Sequence, residues 1–356
     1  MKTYINGIGC VSAQHTFEEE FAWSFQTPED LNVLPIVKPN YGDYFSPIAA
    51  RRMAKGVKNG IVASAIAMKE AGLEMPDAII TGTGMGCIED SDKFLKAIID
   101  NNEEFLTPTS FIQSTHNTVG SQIALGMQCK AYNFTYVNAA VSFESALLDA
   151  KMQIDANEAA SILIGGVDEM TDYTASLFKL AGFIKDDAEG TFPVLNSKTQ
   201  GTVFGEGSTF FVLENKITAS TYAEVVDIEM LNEIAVDAVS QKAERFLESN
   251  GLSIADIDLL ITGINGDANF CAYYDALTQQ KFAHTPQAYY KHLSGEYNTA
   301  SAFGLYVAAN ILKTQRLPAI LKANVIEKSG YKNIVLYNQY RGIDHSFTLI
   351  RHVQTP

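Results

Sequence analysis

The sequence repeats itself, and the repeat limits what the chain can fold into. KNGIVASAIAMKEAGLEMPDAIITGTGMG (58–86) is echoed by VSQKAERFLESNGLSIADIDLLITGING (239–266). Each stretch reads as an amphipathic helix, a Gly-Leu stop and a short apolar run ending in Ile-Thr-Gly. Thr81 and Thr262 are 181 positions apart (262 − 81), and Gly72 and Gly251 are 179 apart (251 − 72). A near-constant offset is what a duplication leaves behind. The echo continues downstream. AYNFTYV (131–137) has the aromatic and β-branched content of a strand, and a helix follows through SFESALLDAKMQI. In the second half AYYKHL leads into TASAFGLYVAANIL, a helix of small and apolar residues. GSTFFVLEN and HSFTLIRHV close the two halves as strands.

Strands alternating with helices predict an α/β protein with buried, largely parallel strands. Helices rich in small residues, such as VASAIA and TASAFG, predict burial between sheets. The expected architecture is two similar α/β halves, 1–218 and 219–356, packed as one layered α-β-α-β-α unit. No low-complexity linker separates them.

Composition narrows the function. With 26 basic and 41 acidic residues the net charge is -15, which argues against nucleic acids and anionic membranes as partners. No apolar run is long enough for a membrane span. The first residues, with one lysine and no long apolar core, give no expectation of a secretory signal. The four cysteines (Cys10, Cys87, Cys129, Cys271) lie far apart, with no zinc spacing, as in a reduced cytoplasmic protein. Gly82, Gly84 and Gly86 lack the spacing of a dinucleotide fingerprint and the Lys-Ser/Thr of a P-loop.

Several segments together resemble the β-ketoacyl-acyl-carrier-protein synthases of the thiolase superfamily. They are YINGIGCVSA at the start, IITGTGMG, LTPTSFIQSTHNTVGSQIAL, ILIGGVDEMTD (162–172) and GTVFGEGSTFFVLE (201–214). The last two are the most specific: a Gly-Gly-acid strand end, then Gly205-Glu206-Gly207 before an apolar strand. The resemblance implies a thiolase-like fold and covers almost the whole chain.

The resemblance also exposes losses. Active members carry a Cys nucleophile at a strand-to-helix turn, two histidines on loops of the second half, and a nearby Lys. Here the nucleophile position is Ala140, and a one-residue shift would give Val141, which is equally inert. The first histidine position is Gly263. In the second, Lys291-His292-Leu293-Ser294-Gly295-Glu296 keeps the Lys and Gly and puts Glu296 where the histidine belongs. The glycine-rich C-terminal loop is replaced by Asn338–Asp344. Without a thiolate there is no acyl-enzyme.

The resemblance therefore implies a chain-length-factor-like subunit that pairs with a paralogous, active ketosynthase and shapes the tunnel for a growing acyl chain. Those partners often carry Gln at the nucleophile position, so Ala140 matches the role and not the signature. Short, degenerate sequences of this kind resemble those that accompany polyene pigment pathways. No cofactor is implied, since acyl groups would arrive on the phosphopantetheine of an acyl carrier protein. Two other readings stay open: altered acyl-thioester chemistry (decarboxylation or hydrolysis) using Glu296, Lys291 or Cys271, and an acyl-binding homodimer.

Further residues are candidates. Phe143, Glu144 and Ser145 open the helix after the lost nucleophile. Glu144 either complements the helix dipole or projects into a partner's tunnel walled by Phe143. His116 and Asn117 fall in a family segment near the subunit interface. Arg51, Arg52 and Lys55 match basic positions that dock the acidic carrier protein, or form a solvated face. Lys291 is expected to pair with Glu206 or Glu296. Cys271 and Cys87 read as small buried hydrophobes. His345 reads as a strand-edge residue or one pointing into the old site.

Overall fold

The computed structural model describes residues 1–17, 24–28 and 30–355. The first half contains β1 (Thr3–Val11), β2 (Val33–Leu34), α1 (Pro47–Ala50), α2 (Lys55–Ala71), β3 (Ala78–Gly82), α3 (Ile88–Asp100), α4 (Pro108–Ser114) and α5 (Thr118–Met127). It continues with β4 (Tyr132–Tyr136), α6 (Ser142–Asp155), β5 (Ser161–Asp168), α7 (Asp172–Leu180), β6 (Phe204–Gly205) and β7 (Gly207–Glu214). The second half contains β8 (Ala223–Asn232), α8 (Val239–Ser249), β9 (Leu259–Thr262), α9 (Cys271–Asp275), β10 (Gln287–Tyr289), α10 (Lys291–Ser294), α11 (Ala300–Thr314), β11 (Asn333–Tyr340) and β12 (Asp344–Arg351).

The duplication is written into the sheet. Ten strands run in the order β10-β9-β11-β12-β8-β1-β7-β5-β3-β4, so each half lays down its strands in the same sequence outward from the β1–β8 joint. Gly72 and Gly251, matched by the repeat, follow α2 and α8 with φ of +64° and +68°, the left-handed conformation that glycine adopts without strain. The expectation of largely parallel strands is corrected. Five pairings in this sheet are antiparallel and four are parallel. The parallel strands lie outermost in each half. The antiparallel ones cluster toward the joint, where β1 and β8 each take a neighbour from the far end of their own half.

Side-chain alternation sets the layers. Ala78 and Ile80 of β3 and Leu259 and Ile261 of β9 share one core with α6 and α11. Ile79 turns the other way, onto α2 and α5, while Leu260 turns onto α8 and α9. The order is thus helix, sheet, helix, sheet, helix. The small residues of α11 suit it to the middle, and Ala300–Ala309 is buried along its whole length.

Candidate functional site at the lost nucleophile

The turn between β4 and α6 is a sharp elbow without a nucleophile. Ala139 holds φ +43°, a sparsely populated conformation for a residue with a Cβ. Ser142 Oγ donates to the Ala139 carbonyl at 2.7 Å and accepts the Asn138 N–H at 2.8 Å. Ser145 Oγ donates to the Val141 carbonyl at 2.8 Å, so it braces the same turn. Ala140 is buried, and its N–H donates to Asp344 Oδ2 at 3.2 Å. That amide is therefore held by a carboxylate and is not free to meet a substrate carbonyl. Ala139, Ala140 and Val141 all lack a nucleophilic atom.

The second half supplies the facing wall. Gly263 follows β9, and a Cβ there would lie 2.2 Å from Asn338 Oδ1 and 3.2 Å from Lys291 Cε. Asn338 thus fills the space where a side chain at 263 would project. Lys291 Nζ donates to both carboxylate oxygens of Glu296 at 2.7 Å. Asn265 Nδ2 donates to Glu296 Oε2, also at 2.7 Å. Of the two acids offered by the sequence, Glu296 is the partner of Lys291. Glu206 instead pairs with Lys55 at 2.7 Å. Lys291, Glu296 and Asn265 are all buried, so the pair holds its charges in compensating contact away from water.

Glu144 joins the two walls. From the first turn of α6 its Oε1 accepts a hydrogen bond from Ser346 Oγ of β12 at 2.7 Å. Burial pushes its carboxyl above the usual range, against lowering contributions from Ser346 and Lys291. Phe143 packs on Phe211 with ring centroids 5.7 Å apart. Both side chains are buried within this chain, where α6 packs between the two halves of the ten-stranded sheet.

The Asn338–Asp344 segment forms a tight hairpin. Tyr340 pairs with Asp344, leaving Arg341, Gly342 and Ile343 as the connection. The Arg341 guanidinium lies 4.0 Å from the Phe183 ring centroid and 5.2 Å from that of Phe270.

The acids of the Gly-Gly-acid motif serve as staples. Asp168 accepts the N–H groups of Gly84 (2.9 Å), Met85 (3.0 Å) and Thr299 (2.9 Å), tying β5 to the start of α11 in the other half. Glu169 accepts the N–H of Gly56 at 2.5 Å and of Glu89 at 2.9 Å, capping the first turns of α2 and α3 together.

Other candidates fall elsewhere. Arg51 and Arg52 are exposed. Lys55 is turned inward, bonded to the Met170 carbonyl at 2.9 Å and to Glu206, which takes it out of the basic surface. His116 and Asn117 are exposed, with His116 beside Gly86. Cys87 is buried, but Cys271 is exposed, because it opens a short helix on the surface. His345 is neither an edge residue nor part of the site. It is the second residue of β12, an interior strand of the sheet, fully buried, and hydrogen-bonded to Tyr337 Oη at 3.0 Å on the sheet face opposite Ser346. Among the described residues no cluster of His, Cys, Asp and Glu could hold a metal ion, and no helix is long and apolar enough to cross a membrane.

Sequence reasoning missed Asn265, Asn338, Ser346 and Asp344 as site residues. Asn265 stood inside a recognisable motif. Asn338 and Asp344 bounded the altered C-terminal loop, and strand register, which the flanks do not announce, brings them and Ser346 in.

Known proteins place this architecture. The profile described as "Beta-ketoacyl synthase, N-terminal domain" matches residues 37–219, just over half of the chain, and the chain belongs to that family. The 3-oxoacyl-[acyl-carrier-protein] synthase 2 of Staphylococcus aureus (strain N315) is 24% identical over 205 residues, 52% of this chain and 49% of that protein. The chain thus spans about half the length of the curated relatives it matches. Among solved structures, a β-ketoacyl synthase from Burkholderia phymatum superposes with a TM-score of 0.81 at 16% identity, over 99% of this chain and 100% of that one. The ishigamide ketosynthase/chain length factor gives 0.81 at 16% identity, covering 99% of each chain. A ketosynthase in complex with its chain length factor from Xenorhabdus doucetiae gives 0.78 at 14% identity, over 99% and 98%. At such identities the likeness is one of fold, and the fold is thiolase-like.

Proposed function

We propose that this chain is a non-catalytic, chain-length-factor-like subunit of a fatty-acid- or polyketide-type synthase. It pairs with an active ketosynthase paralogue and helps shape the tunnel for the growing chain, a polyene chain being one candidate. The observation that carries the reading is the elbow at Ala140: its side chain is a methyl group, and its amide is held by Asp344. An intact scaffold without a nucleophile has no acyl-enzyme to form.

The surface supports a protein partner. Edge strand β4 exposes Tyr132 (47%) and Phe134 (45%), and Val137 follows at 51%. Leu125, Met152, Leu95, Ile99, Phe111 and Ile112 are also exposed on the first half. Unpaired strand edges and apolar faces of this kind mark interfaces. Two of the similar solved structures are described as ketosynthase and chain length factor together. An acyl carrier protein is the proposed second partner, docking by Arg51 and Arg52, with substrate on its phosphopantetheine.

Altered acyl-thioester chemistry is the weaker reading, because Lys291 and Glu296 are engaged with each other and closed off from solvent. Co-expression with a ketosynthase bearing Cys-His-His, followed by chromatography with light scattering, tests the proposal. A heterodimer is expected, together with no acyl adduct and no turnover when this chain alone meets malonyl- or acyl-carrier protein. A stable homodimer without affinity for any such paralogue would overturn it. So would turnover that disappears in Glu296→Gln.

A further inference from the structure

The cluster that replaced the family histidines has the parts of a different reaction. Lys291 Nζ and Asn265 Nδ2 both contact the same oxygen, Glu296 Oε2, each at 2.7 Å. An amine and a carboxamide are thus held side by side on one carboxylate. Asn265 Oδ1 accepts the backbone N–H of Asp267 at 3.1 Å, so the amide carbonyl is polarised by a fixed donor. Exposure is 0% for Lys291, 1% for Glu296 and 4% for Asn265, so bulk water does not compete for the carbonyl. The rings of Tyr274 and Tyr290 are buried beside the cluster, with Lys291 Nζ 6.0 Å from the Tyr290 ring centroid.

We propose that Lys291 and Asn265 are joined by an amide cross-link that the chain forms by itself, with Glu296 moving the protons. Glu296 takes a proton from the Lys291 ammonium group. The freed amine attacks Asn265 Cγ, and charge collects on Oδ1, opposite the Asp267 N–H. Glu296 returns its proton to Nδ2, the Cγ–Nδ2 bond breaks, and ammonia leaves with the remaining surplus proton as ammonium. One Nζ–Cγ bond forms, one Cγ–Nδ2 bond breaks, and Glu296 ends as it began. No oxidant, metal or co-reactant is consumed. The bond ties the loop after β9, which carries Gly263, to α10, two residues before Glu296, and seals the former site covalently. It removes one positive charge. The inference does not depend on the subunit reading, because the cross-link would form in either a heterodimer or a homodimer.

Mass spectrometry of the full-length protein, intact and then proteolysed, tests it. The expected intact mass is below the sequence mass by about 17 Da, one ammonia, and the digest contains a branched peptide joining residues 265 and 291. Lys291→Arg is expected to restore the sequence mass and two separate peptides. Asn265→Asp is expected to lose water in place of ammonia, about 18 Da, and to give the same branch. If either variant fails to fold, the wild-type digest decides alone. An unaltered intact mass with separate peptides overturns the proposal. So does an ammonia loss confined to Asn265, because Asn265-Gly266 can close on its own backbone to a succinimide without Lys291.

Discussion

Gly263 shows how one neighbour can fill the space beside a glycine. Any Cβ at this position meets Asn338 Oδ1 at 2.2 Å, closer than packed atoms approach. Gly263→Ala should therefore destabilise the protein by about 1–3 kcal/mol through overpacking. Adding Asn338→Gly should return much of that loss, which a double-mutant cycle in urea would show as coupling between the two sites. Glu169 gives a prediction in pH. Burial raises its carboxyl from 4.5 to about 7, against the lowering effect of the Glu89 and Gly56 amides and of Lys55. The folded state then keeps a proton that the unfolded chain has already released. Stability should fall as pH rises from about 4.5 to about 7 and stay level above that range. Glu169→Gln should remove this contribution to the slope, as urea midpoints measured across the window would reveal; an unchanged slope would rule out Glu169 as its source. At this scale the flanking motifs pointed to Ala140, Gly263 and Glu296, and the fold sets Gly263 and Glu296 both against Lys291. It marked Asn338 only as the start of an altered loop and was silent on Ser346, because their roles come from the sheet register.

Strand β4 and helix α3 matter for what they leave uncovered. The run AYNFTYV reads as a strand, but its composition does not say whether the strand is central or at an edge. The fold puts it at the edge, with Tyr132, Phe134 and Tyr136 forming a ladder of rings whose successive centroids lie 6.1 and 4.9 Å apart. Helix α3 has no buried residue, and it exposes Leu95 at 59% and Ile99 at 76%. An amphipathic helix with an uncovered apolar side awaits a partner surface. Tyr132→Asp with Phe134→Asp should leave the fold nearly unchanged, since both rings are about half exposed. The same pair should weaken association with the proposed ketosynthase partner at least ~10-fold, a loss of ~1.4 kcal/mol. Circular dichroism and light scattering on the same sample separate these effects, and undiminished association would take β4 out of the interface. The repeat made helices and strands legible in order. It did not reveal the antiparallel joint, because pairing between the ends of each half depends on long-range closure.

At the scale of the molecule, duplication has not produced two independent domains. One core cluster draws on β3, β5 and α6 from the first half and on β9, β11 and α11 from the second. Asp168 at the end of β5 bonds Thr299 at the start of α11, and β1 pairs with β8 across the joint. A separated half would expose the inner face of its sheet and one side of its middle helix, and would leave Asp168 without its Thr299 donors. Burying a charged group without its partners is costly, and so is exposing a contiguous apolar layer. Expressed alone, residues 1–218 and 219–356 should therefore be insoluble or loosely packed, binding a hydrophobic dye and lacking near-ultraviolet circular dichroism. Expressed together as two fragments they should recover cooperative unfolding, because the cut falls in the surface turn at Thr218, where Thr221 Oγ1 accepts the Thr218 N–H at 2.7 Å, and leaves the shared layer intact. A sharp, reversible melt of either fragment by itself would show that the shared core is dispensable, and the two halves would then have to be regarded as domains in their own right.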